Sequence, residues 1–397
     1  MHPQIRHLYH ISQKKSRVII GLMSGTSMDG LDIALCSVSG TGIDTQLDLL
    51  EFETAGFTSD FKEKIRKVFA RDTIDFPYLA ALNSYIANQH GELVNVFLKK
   101  HRLSGESVDI IASHGQTVMH TPGYLLDSKK KLNATLQLGD GDHIAMHTGI
   151  ITISDFRQKH IAAGGEGAPL AVYGDFLLNR TKGQHTILLN IGGIANFTFI
   201  PQSQSFAEVF VTDTGPGNTL MDTWVRTHFN LAYDEDARIA SKGKLLDKLL
   251  LHLKSHSFFE KSFPKSTGPE VFNLSFIRSC LSKLNESALA HEDILYTLNQ
   301  FTADTIAEAI IQTTNVTSAV VFMSGGGVHN PLLCSMLADA LPGWYMGTTD
   351  EAGIPSDAKE AILFAVLANE TIAGNPDIFT DNTNIPAVSM GKISFPV

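Results

Sequence analysis

The 397-residue chain has no block of basic residues beyond its opening segment and a formal net charge of -10, which excludes nucleic acid as a partner surface. Cysteine is scarce. Cys36, Cys280 and Cys334 are scattered and odd in number, so neither a disulfide framework nor a cysteine zinc cluster organises the fold, and a reducing compartment fits. No run approaches the ~18 apolar residues of a membrane span. The opening MHPQIRHLYHISQKKSR is positively charged but lacks the apolar core of a secretory signal. Residues 1–16 therefore read as a disordered extension and the protein as cytoplasmic, without nucleic-acid or membrane partners. Two nucleotide fingerprints are also missing: neither G-x-x-x-x-G-K-[ST] nor G-x-G-x-x-G follows the first strand.

What remains is a well-mixed globular composition, 43% apolar and 18% charged. The length predicts two domains. Strands are expected at 18–23, 31–38 and 45–57, a meander, followed by helices over 59–70 and 78–100 and strands at 109–115 and 149–156. A second copy of the same order begins at 185, with strands at 185–193, 194–200 and 207–215. An amphipathic helix over 295–310 then places Leu295, Leu298, Thr302, Ile306, Ala309 and Ile310 on one face. Strand 318–327 and helix 330–341 follow. The last helix, 357–373, has Ser356 as its expected N-cap and Gly374 after its end, and its apolar residues wrap the axis, so burial on several sides is expected.

Four glycine turns sit at strand ends: Gly25-Thr26-Ser27-Met28-Asp29-Gly30, Gly192-Gly193, Gly215-Pro216-Gly217-Asn218 and Gly325-Gly326-Gly327. Without a Cβ, backbone N–H groups can approach an anion closely. Thr26 and Ser27 add hydroxyl donors, and Asp29 can reach a magnesium ion. Any one of these turns is equally readable as a tight connection. The histidines His114, His120, His143 and His147 have neither H-E-x-x-H spacing nor cysteine partners, so a zinc site is not expected.

The ordered stretches GLMSGTSMDGLD (21–32), SHGQTVMHTP (113–122), LQLGDGDHIAMHTGI (136–150), SDFR (154–157), GGEGAPL (164–170), NIGGIAN (190–196), DTGPGN (213–218), KSTG (265–268), SGGGVHNPLL (324–333) and TTDEAGIPSDAKEAILFAVLA (348–368) resemble the anhydro-N-acetylmuramic acid kinases. These belong to the actin and sugar-kinase superfamily, and the resemblance runs from Val18 to the carboxyl terminus. It implies an α/β, two-lobed actin-like/ribonuclease H-like ATPase fold with duplicated mixed sheets and an interlobe cleft holding the sugar. The implied division is 17–165, completed by 375–397, and 166–374, with helix 357–373 at the interlobe region. ATP and Mg2+ are the implied cofactors, and the oligomeric state, a homodimer included, is left open.

By the same resemblance Gly25 through Leu31 and Asp32 form the phosphate-binding hairpin of the first lobe, and Asn190, Gly192 and Gly193 that of the second. Gly215, Gly217 and Asn218 join the nucleotide site, and Gly325, Gly326 and Gly327 lie against the adenosine. His114 and Gln116 belong to the sugar site. Asp155 matches the catalytic base, although an Asp at a strand end also reads as a turn cap. Arg157 is a candidate for the lactyl carboxylate or a salt-bridge partner of Asp155. Glu360 contacts sugar or metal, or is a dipole-favourable acid at a helix start. Asp213 assists magnesium with Asp29 and Glu360, or caps its turn. Departures from the family pattern are Ser113, His160 and Glu166. Glu166 would repel a lactyl carboxylate if it faced the sugar, which leaves another 1,6-anhydro sugar such as levoglucosan as an alternative substrate. A non-catalytic nucleotide-binding protein is the alternative of another class.

Overall fold

A computed structural model describes the chain except residues 128, 180, 182, 285–288, 352 and 383–384; Ala352 of the 348–368 stretch thus lies outside the described residues. The chain divides into two compact units, Met1–Leu178 with Asp357–Val397, and Asn179–Ser356. The strands are β1 (Ser16–Ser24), β2 (Gly30–Ser39), β3 (Gln46–Gly56), β4 (Ile110–Asp127), β5 (Lys130–Leu138), β6 (Thr152–Ser154), β7 (Thr186–Ile191), β8 (Ile194–Ile200), β9 (Phe210–Pro216), β10 (Val320–Ser324), β11 (Tyr345–Thr348) and β12 (Lys392–Ser394). The helices are α1 (Pro3–Ser12), α2 (Ser59–Arg66), α3 (Phe76–Lys100), α4 (Gly141–Thr148), α5 (Phe156–Ala162), α6 (Ala171–Leu178), α7 (Thr219–Phe229), α8 (Asp247–Lys254), α9 (Leu274–Leu281), α10 (His291–Thr314), α11 (Pro331–Ala340) and α12 (Lys359–Ala373).

In the first unit the sheet order is β12-β6-β4-β1-β2-β3, with β5 paired to β4. The strands β1, β2 and β3 form an antiparallel meander, while β4 runs parallel to β1 and β6 parallel to β4. Central strand β1 is buried on both faces, and its apolar run VIIGLM is the sequence such a strand needs. The second unit repeats the plan as β11-β10-β7-β8-β9, with an antiparallel meander β7-β8-β9 and β10 and β11 added in parallel. Its core is built around α10, where all six residues expected on the apolar face are buried or lie in the core cluster. Among the described residues no helix is long and apolar enough to cross a membrane.

Helix α12 belongs to the first unit, so the boundaries fall at 178/179 and 356/357 rather than at 165/166 and 374/375. It packs on β1, β2 and β4. The cause lies in Gly21: a Cβ there would stand 1.9 Å from the carbonyl oxygen of Ala361, so the helix backbone rests directly on the strand. Every residue from Ala361 to Glu370 is buried, and each fully buried Ile, Leu or Phe contributes roughly 1.5–3 kcal/mol. Two expectations at its ends are corrected. The cap position is Ala358, with no side-chain cap bond, and Ser356 instead gives its amide to Asp350. Gly374 is extended rather than left-handed, and a Cβ there would lie 2.7 Å from the Glu370 carbonyl oxygen.

The opening segment is also corrected, since residues 3–12 form α1 rather than a disordered extension. Pro3 starts the helix where a missing N–H costs nothing, Ile11 is fully buried, and Gln4 donates to the carbonyls of Pro396 and Val397. Those partners lie at the far end of the chain. The expected strand at 149–156 shrinks to three residues, and the expected strand at 109–115 lengthens into β4, whose far half pairs with the unanticipated β5.

Candidate active site

The turn between β1 and β2 is built from opposed preferences. Met28 takes a left-handed conformation (φ 60°) and buries its side chain among Phe61, Ile65, Val118 and Leu138. This leaves Thr26, Ser27 and Asp29 exposed. Gly30 has no room for a Cβ, which would lie 2.7 Å from the Ala55 carbonyl oxygen of β3. Gln116 clamps the turn from β4, accepting from Ser24 Oγ and donating to the Gly25 carbonyl at 3.2 Å. It is fully buried. The structure therefore places Gln116 behind the turn, its amide bonded to Ser24 and to backbone carbonyls.

Below the turn lies a cavity of about 450 Å³. Met23, Ser24, Gly25, Thr26 and Ser27 form one side, and His114, Arg157 and Glu360 another. Thr117, His120, Thr135 and Gln137 close the third. These four come from the β4–β5 hairpin, which sequence reasoning missed; the period-two polar positions Thr135 and Gln137 in NATLQL were the available signal. His114 reaches the cavity through a bulge. The pairing of β4 with β1 skips from Ser113 to Gln116, and Gly115 takes φ 76° where a Cβ would strike the Leu138 carbonyl.

Arg157 sits in the first turn of α5. Its Nε donates to Nε2 of His114 at 2.8 Å and its Nη1 to the Gly167 carbonyl at 2.9 Å. His114 must then carry its proton on Nδ1. Burial, helped by the Arg157 charge, pushes the imidazole down to about 3, so it stays neutral. Glu360 opens onto the cavity while protein surrounds it elsewhere; this enclosure raises its carboxyl, the Arg157 charge opposes the rise and Asp32 adds to it. Asp32 is raised in turn by burial, against the bond it accepts from Thr54 Oγ1 at 2.6 Å, with Asp357 adding to the rise.

Asp155 ends β6 and begins α5 in a left-handed conformation (φ 59°, ψ 34°), with no capping bond to the helix. The turn-cap reading is thereby removed. Its Oδ2 accepts from Ser154 Oγ at 3.2 Å and faces Lys392 Nζ of β12 at 3.5 Å. Lys392, rather than Arg157, is its cationic neighbour. A non-glycine residue in this backbone region stores strain of order 1–3 kcal/mol, as functional positions often do.

In the second unit three of the glycine turns converge at the carboxyl ends of the parallel strands β7 and β10. The amides of Gly217 and Asn218 donate to the carbonyls of Gly193 and Gly192 at 2.9 and 2.8 Å, and Asn218 Nδ2 to Ile191 at 3.2 Å. A Cβ on Gly325 would fall 2.7 Å from the Ile191 carbonyl and 2.8 Å from Asn190 Oδ1, and one on Gly326 3.3 Å from Asn218 Nδ2. A Cβ on Gly327 would fall 2.3 Å from the Ile191 side chain, and one on Gly215 3.2 Å from the Phe259 ring. Asp213 accepts from the Thr267 amide at 2.8 Å, and burial raises its carboxyl. That bond gives Asp213 the task of tying the 265–267 segment to β9.

For a divalent cation, no group of three His, Cys, Asp or Glu side chains among the described residues forms a ready cage. Magnesium does not need one, since it takes one or two carboxylates with phosphate and water oxygens. Asp32 and Glu360, each raised with the help of a neighbouring carboxylate, fit that donor set.

The duplicated strand plan, with glycine turns at the strand ends, defines the two-lobed α/β actin-like, ribonuclease H-like class. A family model described as anhydro-N-acetylmuramic acid kinase matches residues 17–395. Proteins named anhydro-N-acetylmuramic acid kinase are similar over almost the full length: one from Pseudoalteromonas atlantica at 50% identity, covering 100% of both chains, and one from Caldanaerobacter subterraneus at 37%, covering 98% of this chain and 99% of the other. The chain belongs to the anhydro-N-acetylmuramic acid kinase family. Among solved structures, component A of the Acidaminococcus fermentans (R)-2-hydroxyglutaryl-CoA dehydratase matches with a TM-score of 0.41 and 11% identity, covering 90% of this chain and 99% of that one, a likeness too faint to bear on function.

Proposed function

We propose that this chain is an ATP-dependent kinase that opens 1,6-anhydro-N-acetylmuramic acid with water and phosphorylates O6, giving N-acetylmuramic acid 6-phosphate for cell-wall recycling in the cytoplasm. The observation that carries the reading is the placement of the S-D-F-R run. Its Asp155 is a strained, uncapped carboxylate at a strand end, and its Arg157 lies two residues on in the wall of a polar cavity beside the Gly25–Gly30 turn.

The residues have distinct tasks. Asp155 takes a proton from a water whose oxygen attacks C1; the C1–O6 bond breaks, and the electron pair left on O6 attacks the γ-phosphorus of ATP, releasing ADP. General-base help of this kind contributes about 10²–10⁴-fold. Arg157, with donors beyond those used on His114 and Gly167, meets the lactyl carboxylate. Thr26, Ser27 and the amides of the first turn bind phosphate in the first unit, and the glycine turns of the second unit are nucleotide-binding elements in their own right. Asp32 and Glu360 would hold magnesium, with Asp29 at the exposed end of the turn. When bound, magnesium neutralises charge on the phosphates and the transferring phosphoryl. Glu166 is exposed, and its charge acts on His120 of the cavity wall, so levoglucosan belongs beside the muramic sugar in the substrate test.

The test is mass spectrometry of products formed from the anhydro sugar, ATP and magnesium in ¹⁸O-labelled water. A phosphosugar labelled once at C1 is expected. An unlabelled product would remove the water step, and turnover of levoglucosan alone would move the substrate.

A further inference from the structure

Arg157 is placed by two acceptors, and the second, the Gly167 carbonyl, sits in a loop whose shape depends on a side chain outside the cavity. His160 is buried on α5, and its Nδ1 accepts from the Gly167 amide at 2.9 Å. Gly165 passes so close that a Cβ there would lie 2.2 Å from the ring. Tyr173 meets the imidazole edge-on, with centroids 5.9 Å apart and planes at 89°. The same loop has a second tether, from Asn133 Nδ2 of β5 to the Gly165 carbonyl at 2.9 Å.

We infer that His160 is a positioning residue for sugar binding: by holding the Gly167 amide it presents the Gly167 carbonyl to Arg157 and so aims the guanidinium into the cavity. The inference rests on the proposed kinase reading. The contact needs a neutral ring with its proton on Nε2, and burial, with the Arg157 charge, pushes this histidine down to about 4. Neutrality also matters for Arg157. A carboxylate at position 160 would accept from the same amide but would compete for the guanidinium charge; an imidazole leaves that charge for Glu360 and for an anionic ligand.

The experiment is steady-state kinetics on the full chain, varying sugar and ATP separately, for wild type, His160→Asn and His160→Phe. Asn keeps an acceptor near the Nδ1 position, while Phe keeps the ring beneath Gly165 and removes the acceptor. His160→Phe is expected to raise the sugar KM by roughly three- to tenfold, the range of one lost hydrogen bond. Its kcat and ATP KM should stay within about twofold, as should all constants of His160→Asn. An unchanged sugar KM in His160→Phe, equal shifts for both substrates, or an Asn variant as impaired as Phe would each overturn the inference. Should the Phe variant not fold, Asn133→Ala releases the same loop from its other end and carries the same expectation. A wild type that turns over no anhydro sugar defeats the kinase reading and this inference together, whereas an active wild type with unmoved variants defeats the inference alone.

Discussion

Arg157 and His114 are joined side chain to side chain, Nε to Nε2 at 2.8 Å, across the first turn of α5 and the bulge of β4. The bond works because His114 is buried and neutral, offering a lone pair where a protonated ring would repel the guanidinium. A lysine keeps the charge at position 157 but cannot reach His114 and Gly167 with one planar fork. Arg157→Lys should therefore weaken sugar binding by about tenfold, the equivalent of roughly 1.4 kcal/mol, as read by calorimetric titration of the sugar. Unchanged affinity would show that the fork is irrelevant to the ligand.

Asp155→Asn removes the base and leaves the strand end intact. Turnover is expected to fall by about 10²–10⁴-fold, with the melting temperature and nucleotide affinity close to wild type. A variant that retains more than about a tenth of wild-type kcat would point to another base.

Glu360 carries a carboxyl raised from its usual value. A raised acid holds its proton to higher pH, so apparent magnesium affinity should fall as the assay is taken down through the mildly acidic range. Glu360→Gln should demand about ten times more magnesium and show a weaker pH dependence, the remainder belonging to the raised carboxyl of Asp32. Identical magnesium titrations for the two proteins would take Glu360 out of the cation site.

His90 is fully buried, stacked 6.1 Å from Phe57, with neither ring nitrogen hydrogen-bonded, and burial pushes it down to about 4. Its usual value is 6.5. Between those values the unfolded chain binds more protons, so stability contributed here is present above 6.5 and drains away as pH falls towards 4. His114 and His160 act in the same direction. The raised carboxyls of Glu360 and Glu370 act oppositely, losing stability as pH rises through their folded values. Relative to wild type, His90→Phe should gain stability as pH drops from 6.5 to 5, measured by urea unfolding at each pH. A constant offset between the two proteins would refute this.

Gly21→Ala pushes a methyl into the Ala361 carbonyl, whereas nothing lies within 4 Å of a Cβ on Gly56. The first should cost more than about 3 kcal/mol and the second less than about 0.5 kcal/mol, compared by denaturant midpoints. Equal midpoints would mean α12 can lift from β1 without penalty.

Where the chain reports its own periodicity, reading was direct. The meander at 18–57, its repetition from 185 and the apolar face of α10 follow from alternation and helical spacing that each segment carries alone. The Gly25–Gly30 turn was likewise visible, because glycines at a strand end are a local anomaly, whereas His114, Arg157 and Glu360 were named through the family motifs that contain them. The hairpin of β4 and β5 was not, since its polar wall of Thr117, His120 and Gln137 looks like an ordinary exposed segment until the cavity lies beside it. The partners of Gln116 were not legible either, since an amide reads alike whether it faces a ligand or a buried turn.

Residues 18–57 and 185–216 thus hold their strand order in local pattern, and the glycines mark where those strands must turn. Long-range packing settled the rest. Gly21 seats α12 on the first sheet, Gln4 ties the opening segment to residues at the other terminus, and the bulge at Gly115 joins His114 to a guanidinium 43 positions away. Those contacts pair groups distant along the chain, and no window of local sequence contains both partners.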